Sequence, residues 1–173
     1  NHNFISTSDT ETLLYGLIYM GESFLNNLDG IFAFSFYDTK TSDFIIARDH
    51  FGVKPLYYYC NNSEIYFSSE SKGFIDYLPS HTINENSLIN YLNFLWSPGE
   101  LTPLKEIKKL LPGNIIKGNS LNINDLSIFE YYNLSFNDNL IGLMKDNEWI
   151  ELLESKLIQA VKSQLISDVP IGF

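Results

Sequence analysis

Cysteine is nearly absent from this chain: Cys60 is the single one, so no internal disulfide can form and a reducing, cytoplasmic setting is the simpler expectation. Positive charge is scarce. Eleven Lys+Arg stand against 21 Asp+Glu, a formal charge of −10, and a surface that acidic repels phosphate backbones and anionic lipid. Nucleic-acid and membrane partners are therefore not expected. No apolar run approaches spanning length; the strongest, "GIFAFSFY", is short and strand-like. Three histidines, His2, His50 and His81, have no spacing that makes a metal site, and no cysteine or carboxylate cluster accompanies them. There is no internal repeat and no low-complexity segment. The opening "NHNFISTSDTE" has no initiator Met, charged n-region or apolar h-region, so it reads as the interior of a longer protein and not as a signal peptide.

What the chain does have is apolar and aromatic material. Hydrophobic residues make up 45% and aromatics 15% of 173 residues, enough for a packed domain, or for one domain and part of another. "SDTETLLYGLIYMG" opens with Ser8 and Asp9 as candidate N-caps. Glu11 follows Ser8 at capping-box spacing, apolar residues then recur at helical spacing, and Gly21 closes the helix. "ESFLNNLDG" reads as a second short helix ending at Gly30. "IFAFSFYDTKTSDFIIARD" then reads as two strands and a polar turn, with Phe32, Phe34 and Phe36 on one face. The turn "HFGVKP" leads to a second pair, "LYYYC" and "EIYFSSE", joined at Asn61-Asn62. Helical pieces are expected at 71–78 and 85–95, and a short strand near "LSIFEYYNL". Residues 135–147 suit a linker, and "EWIELLESKLIQAVKSQLI" is amphipathic, with Trp149, Leu152, Leu153, Leu157, Ala160, Val161 and Leu165 as its apolar stripe. Val169 to Phe173 read as a short apolar strand. The order suggests an α+β domain, a break near residue 140, and then the first helix–strand unit of an α/β domain.

Several stretches could carry chemistry. "IIARDHFGVKPLYYY" gathers Arg48, Asp49, His50 and Lys54 around a glycine turn. Arg and Asp at a strand end commonly pair with each other and with the turn backbone, Gly52 supplies a positive φ, and Pro55 fixes re-entry into the next strand, so structure is favoured over catalysis. Cys60 has neither a His nor a free amine in evidence to activate it and reads as a small buried hydrophobe. "KKLLPGNIIKG" reads as a basic, solvated turn. "SDTE" needs no explanation beyond helix capping, and "SDVPIGF" none beyond a helix-to-strand joint.

Taken together these stretches resemble the glutamine-hydrolysing asparagine synthetase family. Four segments match in order: "SDTETLL", "LDGIFAFSFYDTKTSDFIIARDHFGVKPLYY", "FSSESKGF", and "LTPLKEIKKLLPGNIIK" followed by "AVKSQLISDVPIGF". The second is the most specific. The first three occur more loosely in other amidotransferases with an N-terminal cysteine nucleophile, whereas the last points to the synthetases, where its equivalent leads into a Ser-Gly-Gly-x-Asp-Ser loop for the pyrophosphate of ATP.

The resemblance implies an incomplete four-layer αββα glutaminase fold over residues 1–140. Residues 141–173 would begin an α/β ATP-binding domain. In the family a cysteine thiolate, activated by its own α-amino group, attacks the glutamine amide, and an Asn-Gly pair forms the oxyanion hole. The ammonia crosses a tunnel to a site where ATP and Mg²⁺ activate aspartate. Residue by residue, only Asp9 carries over, as the aspartate that binds the α-amino group of glutamine. The nucleophile, the arginine for the glutamine carboxylate and the Asn-Gly pair are expected before Asn1, and the ATP loop after Phe173. No catalytic, metal or ATP-binding residue is therefore assigned here, and Arg48, Asp49, Gly52 and Pro55 are framework.

The implied activity is ATP-dependent amidation of aspartate, in a protein that could be a homodimer; a relative that amidates a sugar or another carboxylate is the alternative acceptor class. A non-catalytic binding module with the glutaminase fold is the competing reading, separable by whether the neighbouring coding sequence supplies the cysteine and the ATP loop. These 173 residues alone are expected neither to hydrolyse glutamine nor to bind ATP, and to be poorly soluble because the "GIFAFSFY" sheet would have an uncovered face and edge.

Overall fold

A computed structural model describes residues 3–136, 142, 144–167 and 169–170. They fall into two compact units, Asn1–Asn133 and Leu134–Phe173, each considered by itself.

The first unit starts with α1 (Asp9–Met20), ended by Gly21 at φ +60°, and a 3-10 segment, Gly21–Asn27. Two antiparallel sheets follow. One has the order β1-β2-β6-β7, from β1 (Ala33–Tyr37), β2 (Asp43–Arg48), β6 (Asn114–Asn119) and β7 (Asn122–Glu130). The other has the order β4-β3-β5, from β3 (Tyr57–Cys60), β4 (Ile65–Ser68) and β5 (Lys108–Lys109). In the chain, a second 3-10 segment, Ser71–Tyr77, and α2 (Glu85–Phe94) run between β4 and β5.

Strand β2 explains the packing. "FIIA" is buried at four successive positions, which a strand shows only when both of its faces are covered. Phe44 and Ile46 point into a core shared with Ile116, Ile123, Leu56, Tyr58 and Leu110, which joins the two sheets. Ile45 and Ala47 point the opposite way, with Ile115, onto Leu17 and Leu25 of the N-terminal helices. Phe32, Phe34 and Phe36 pack against this second core, on one face as their alternation implied. Strand β3 repeats the logic: Tyr58 faces the inter-sheet core, while Tyr59 joins Phe74, Leu78 and Ile107 in a third core. The result is a mixed α and β unit built on antiparallel sheets.

Three expectations need correction. Glu11 does not close a capping box with Ser8; it accepts from the Ile5 and Ser6 amides (2.9 and 2.7 Å) and the Ser6 hydroxyl, one turn further back. Cys60 is exposed, because β3 ends there and the Asn61 turn, which collects the Ser63 and Glu64 amides on one side-chain oxygen, opens to solvent. "KKLLPGNIIKG" is more than a solvated turn. Lys108 and Lys109 form β5 against Tyr58 and Tyr57, so their side chains take opposite faces, and "NIIKG" is the central strand β6. The other pairings match the sequence: Tyr57–Cys60 with Ile65–Ser68, and Ala33–Tyr37 with Asp43–Arg48.

In the second unit, α3 (Asp146–Ser163) starts where Glu148 accepts from the Lys145 amide at 2.7 Å, and none of its residues is buried. Of the linker expected at 135–147, residues 137–141 and 143 lie outside the described residues, and Asp146 and Asn147 already belong to α3; of the strand expected at 169–173 only Val169 and Pro170 are described, and neither is in a strand. Among the described residues no helix is long and apolar enough to cross a membrane.

The turn between β2 and β3 is densely hydrogen-bonded. The Asp49 carboxylate, 2% exposed, accepts from the amides of Phe51, Val53 and Lys54 at 3.2, 2.9 and 3.0 Å. Replacing Asp49 by Ala strands those amides, and unfolding in urea should show a loss of about 3–5 kcal/mol. A loss under about 1 kcal/mol would mean that water satisfies the turn equally well.

Candidate functional site

Arg48 and Asp49 do not act on the turn as a simple pair; they divide its polar groups. Asp49 takes the amides, while the Arg48 guanidinium donates to the carbonyls of Lys54 (Nε, 2.7 Å), Leu110 (Nη1, 2.5 Å) and Gly52 (Nη2, 2.7 Å). Burial pushes the guanidinium below its ordinary value, and the charge of Asp49 opposes that shift. Gly52 has φ +65°, and a Cβ there would meet Pro112 at 2.8 Å and Arg48 at 2.9 Å, so no other residue fits. Gly113 is equally constrained: φ is +64° and a Cβ would lie 2.5 Å from the Tyr132 carbonyl. Its amide donates to the Asp49 carbonyl at 2.9 Å, which ties the turn to the start of β6. The Tyr131 hydroxyl donates to the Arg48 carbonyl at 2.7 Å, and burial together with Asp49 pushes its pKa up. His50 is stacked on Tyr132 at 4.1 Å between ring centroids, and its buried Nε2 has no hydrogen-bond partner among the described residues.

The same turn walls two cavities. Lys54 and Pro55 line a shallow one of about 340 Å³ with Leu13 of α1, Phe32 and Phe34 of the β1 region, and Ser69. Arg48, Phe51 and Gly52 line a larger one, about 680 Å³, with Tyr91, Trp96 and Lys109.

Asp9 is the first residue of α1, exposed, and one turn before the cavity residue Leu13, so the two share a side of the helix. Ser8, not Asp9, is the cap: its hydroxyl accepts from the Thr10 amide at 3.2 Å. The carboxylate of Asp9 thus stands in the first turn without serving as the cap, its recorded contact being the Thr10 hydroxyl at 3.4 Å. A carboxylate so placed is stabilised by the helix dipole and can receive an ammonium group. It does not itself line the cavity. No group of three or more His, Cys, Asp or Glu that could hold a metal occurs among the described residues.

Residues 1–132 match the family described as the glutamine amidotransferase domain. The chain belongs to this family. It is 28% identical over 173 residues to asparagine synthetase [glutamine-hydrolyzing] 1 of Bacillus subtilis (strain 168), covering 99% of this chain and 26% of that protein. It is 31% identical over 173 residues to asparagine synthetase B [glutamine-hydrolyzing] of Escherichia coli (strain K12), covering 99% and 25%. The amidase chyE of Penicillium rubens is 28% identical over 175 residues, with 98% and 25% covered. The chain thus spans about a quarter of the length of these relatives. The resemblance to glutamine-hydrolysing asparagine synthetases read from the four sequence segments agrees with these comparisons.

Sequence reasoning missed Lys109 and Trp96 as cavity residues. The signal that could have found them is the period of two: in a short strand, adjacent lysines take opposite faces, and one then turns inward.

The amidotransferase's capping arrangement separates the two N-terminal carboxyl and hydroxyl groups experimentally. Ser8→Ala should cost about 1 kcal/mol in urea unfolding and Asp9→Asn no more than about half of that. An equal or larger loss for Asp9→Asn would make it a structural cap instead.

Proposed function

We propose that this chain is part of a glutamine-hydrolysing asparagine synthetase, in which glutamine supplies ammonia for ATP-dependent amidation of aspartate. The observation that carries this reading is the match of 98% or more of the chain to asparagine synthetases of two bacteria, extending past the amidotransferase domain into residues 133–173. In this reading residues 1–140 belong to a four-layer αββα glutaminase domain of the N-terminal-nucleophile type, with the cysteine upstream of Asn1. Residues 141–173 open the ATP-binding domain. The arrangement of three cores, one between the sheets and one on the far face of each, supports that fold. The complete protein takes glutamine, aspartate, ATP and Mg²⁺, acts in the cytoplasm and works as a homodimer.

Asp9 receives the α-ammonium of glutamine. Its exposed carboxylate, released from capping by Ser8 and standing one turn from the cavity residue Leu13, supports this role. Lys54 lines the same cavity and gives it a positive charge, suited to a substrate with a carboxylate at its other end.

An amidase among the relatives favours a second reading, in which the ammonia acceptor is a carboxylate other than that of aspartate. The experiment uses the complete protein with amide-¹⁵N glutamine, aspartate and ATP. Asparagine labelled in its amide is the expected product. Glutamine hydrolysis without label in asparagine would remove aspartate as the acceptor while leaving the amidotransferase reading intact. In the same assay Asp9→Asn should raise the KM for glutamine about 10- to 100-fold, the worth of one charge-assisted hydrogen bond, with ammonia-dependent synthesis retained. An unchanged KM would take Asp9 out of the glutamine site.

A further inference from the structure

The larger cavity has no part in the proposed glutamine chemistry, yet it is the better-formed of the two. At about 680 Å³ it lies within the roughly 300–1,000 Å³ typical of small-molecule sites. It is framed by the Arg48 turn on one side and by the segment from Tyr91 to Thr102 on the other. Aromatic rings from Phe51, Tyr57, Tyr91 and Trp96 supply much of the lining.

Its electrostatics are unusual for this chain. The protein carries a formal charge of −10, but the cavity is lined by two cations, Arg48 and Lys109, and by no Asp or Glu. The nearby acids are engaged elsewhere. Asp49 holds three turn amides, and Glu100 faces Lys108, 3.3 Å away. Lys109 is half-buried, and burial followed by repulsion from Arg48 pushes its ammonium below the ordinary value. It donates to the Ser97 carbonyl and lies 5.6 Å from the Trp96 ring centroid. An ammonium has three N–H donors, so two remain after the Ser97 bond. Asp49 offsets the charge of Arg48, but Lys109 faces a like charge in a partly desolvated cavity with no carboxylate in its lining, a free-energy cost that a bound anion would recover.

We propose that this cavity binds a small aromatic carboxylate, its anionic group on Lys109 within the field of Arg48 and its ring against Trp96 and Tyr91. The rings account for the aromatic part, because Trp96 and Tyr91 are largely exposed and their faces gain by being covered. The cations account for the carboxylate, since a neutral ligand of the same shape leaves the repulsion between them unrelieved. The site is distinct from the Asp9 region: none of its lining residues belongs to α1, and Arg48 and Lys54 send the turn's two cations into different cavities.

The test compares 4-nitrobenzoate with 4-nitrobenzyl alcohol on the complete protein, by calorimetry, with glutamine in excess to occupy carboxylate sites elsewhere. The acid should bind at least about tenfold more tightly than the alcohol. Lys109→Met should bring the two to parity, while Lys108→Met, on the opposite face of the same strand, should leave the preference intact. A second reading does not depend on the Lys109 variant folding. The nitro group quenches a nearby indole, so quenching by the acid should vanish in Trp96→Phe and persist in Trp149→Phe. Equal affinity for acid and alcohol in the unmodified protein, a preference that survives Lys109→Met, or quenching that follows Trp149 would each overturn the proposal.

Discussion

The buried carboxylate of Asp49 is the constraint on which the rest of the unit depends. A buried charge is tolerable only when its oxygens are hydrogen-bonded, and here the amides of Phe51, Val53 and Lys54 bond them. That requirement closes the chain into a tight loop, which in turn demands a positive φ at Gly52. Arg48 answers the carbonyls that the loop leaves facing inward, and its reach to Leu110 ties the β2–β3 connection to the strand that enters the second sheet. Gly113 and Tyr131 complete the tie from the other side. One turn therefore registers both sheets against each other.

Positioning of function follows from that registration. Because β2 is covered on both faces, it can carry a rigid turn at its end without fraying, and the turn becomes the common wall of two cavities. The residues that alternate through it are sorted by side: Lys54 and Pro55 to the cavity beside α1, Arg48 and Gly52 to the one beside α2. The polar cluster read as framework in the sequence thus serves as architecture, positioning the residues on either side of it. Such a division is common where a polar cluster sits on a turn held by its own backbone.

Much was legible in advance because it depended on local periodicity. The antiparallel pairs from β1 to β4 could be read from alternation and from the Asn61 turn, and α1 and α3 from helical spacing. The family was legible for a different reason: the order of several specific segments carries more information than any one of them. Less legible were the partners chosen at short range. Glu11 sits at capping-box spacing from Ser8, but the chain before the helix folds back so that the Ile5 and Ser6 amides lie closer. Spacing gives an opportunity for a bond, and the local path of the chain decides which bond forms.

By itself the sequence determined the alternation of β1, the helical stripe of α1, the need for glycine after Asp49, and membership of the glutamine amidotransferase family. Tertiary structure alone decided that "NIIKG" is a central strand, that Cys60 faces solvent, and that Lys109 turns inward while Lys108 stays outside. The strand placements depend on which distant segment supplies the neighbouring backbone, and pairing between segments more than 40 residues apart leaves no trace in the local pattern, whereas Cys60 faces solvent because β3 ends there.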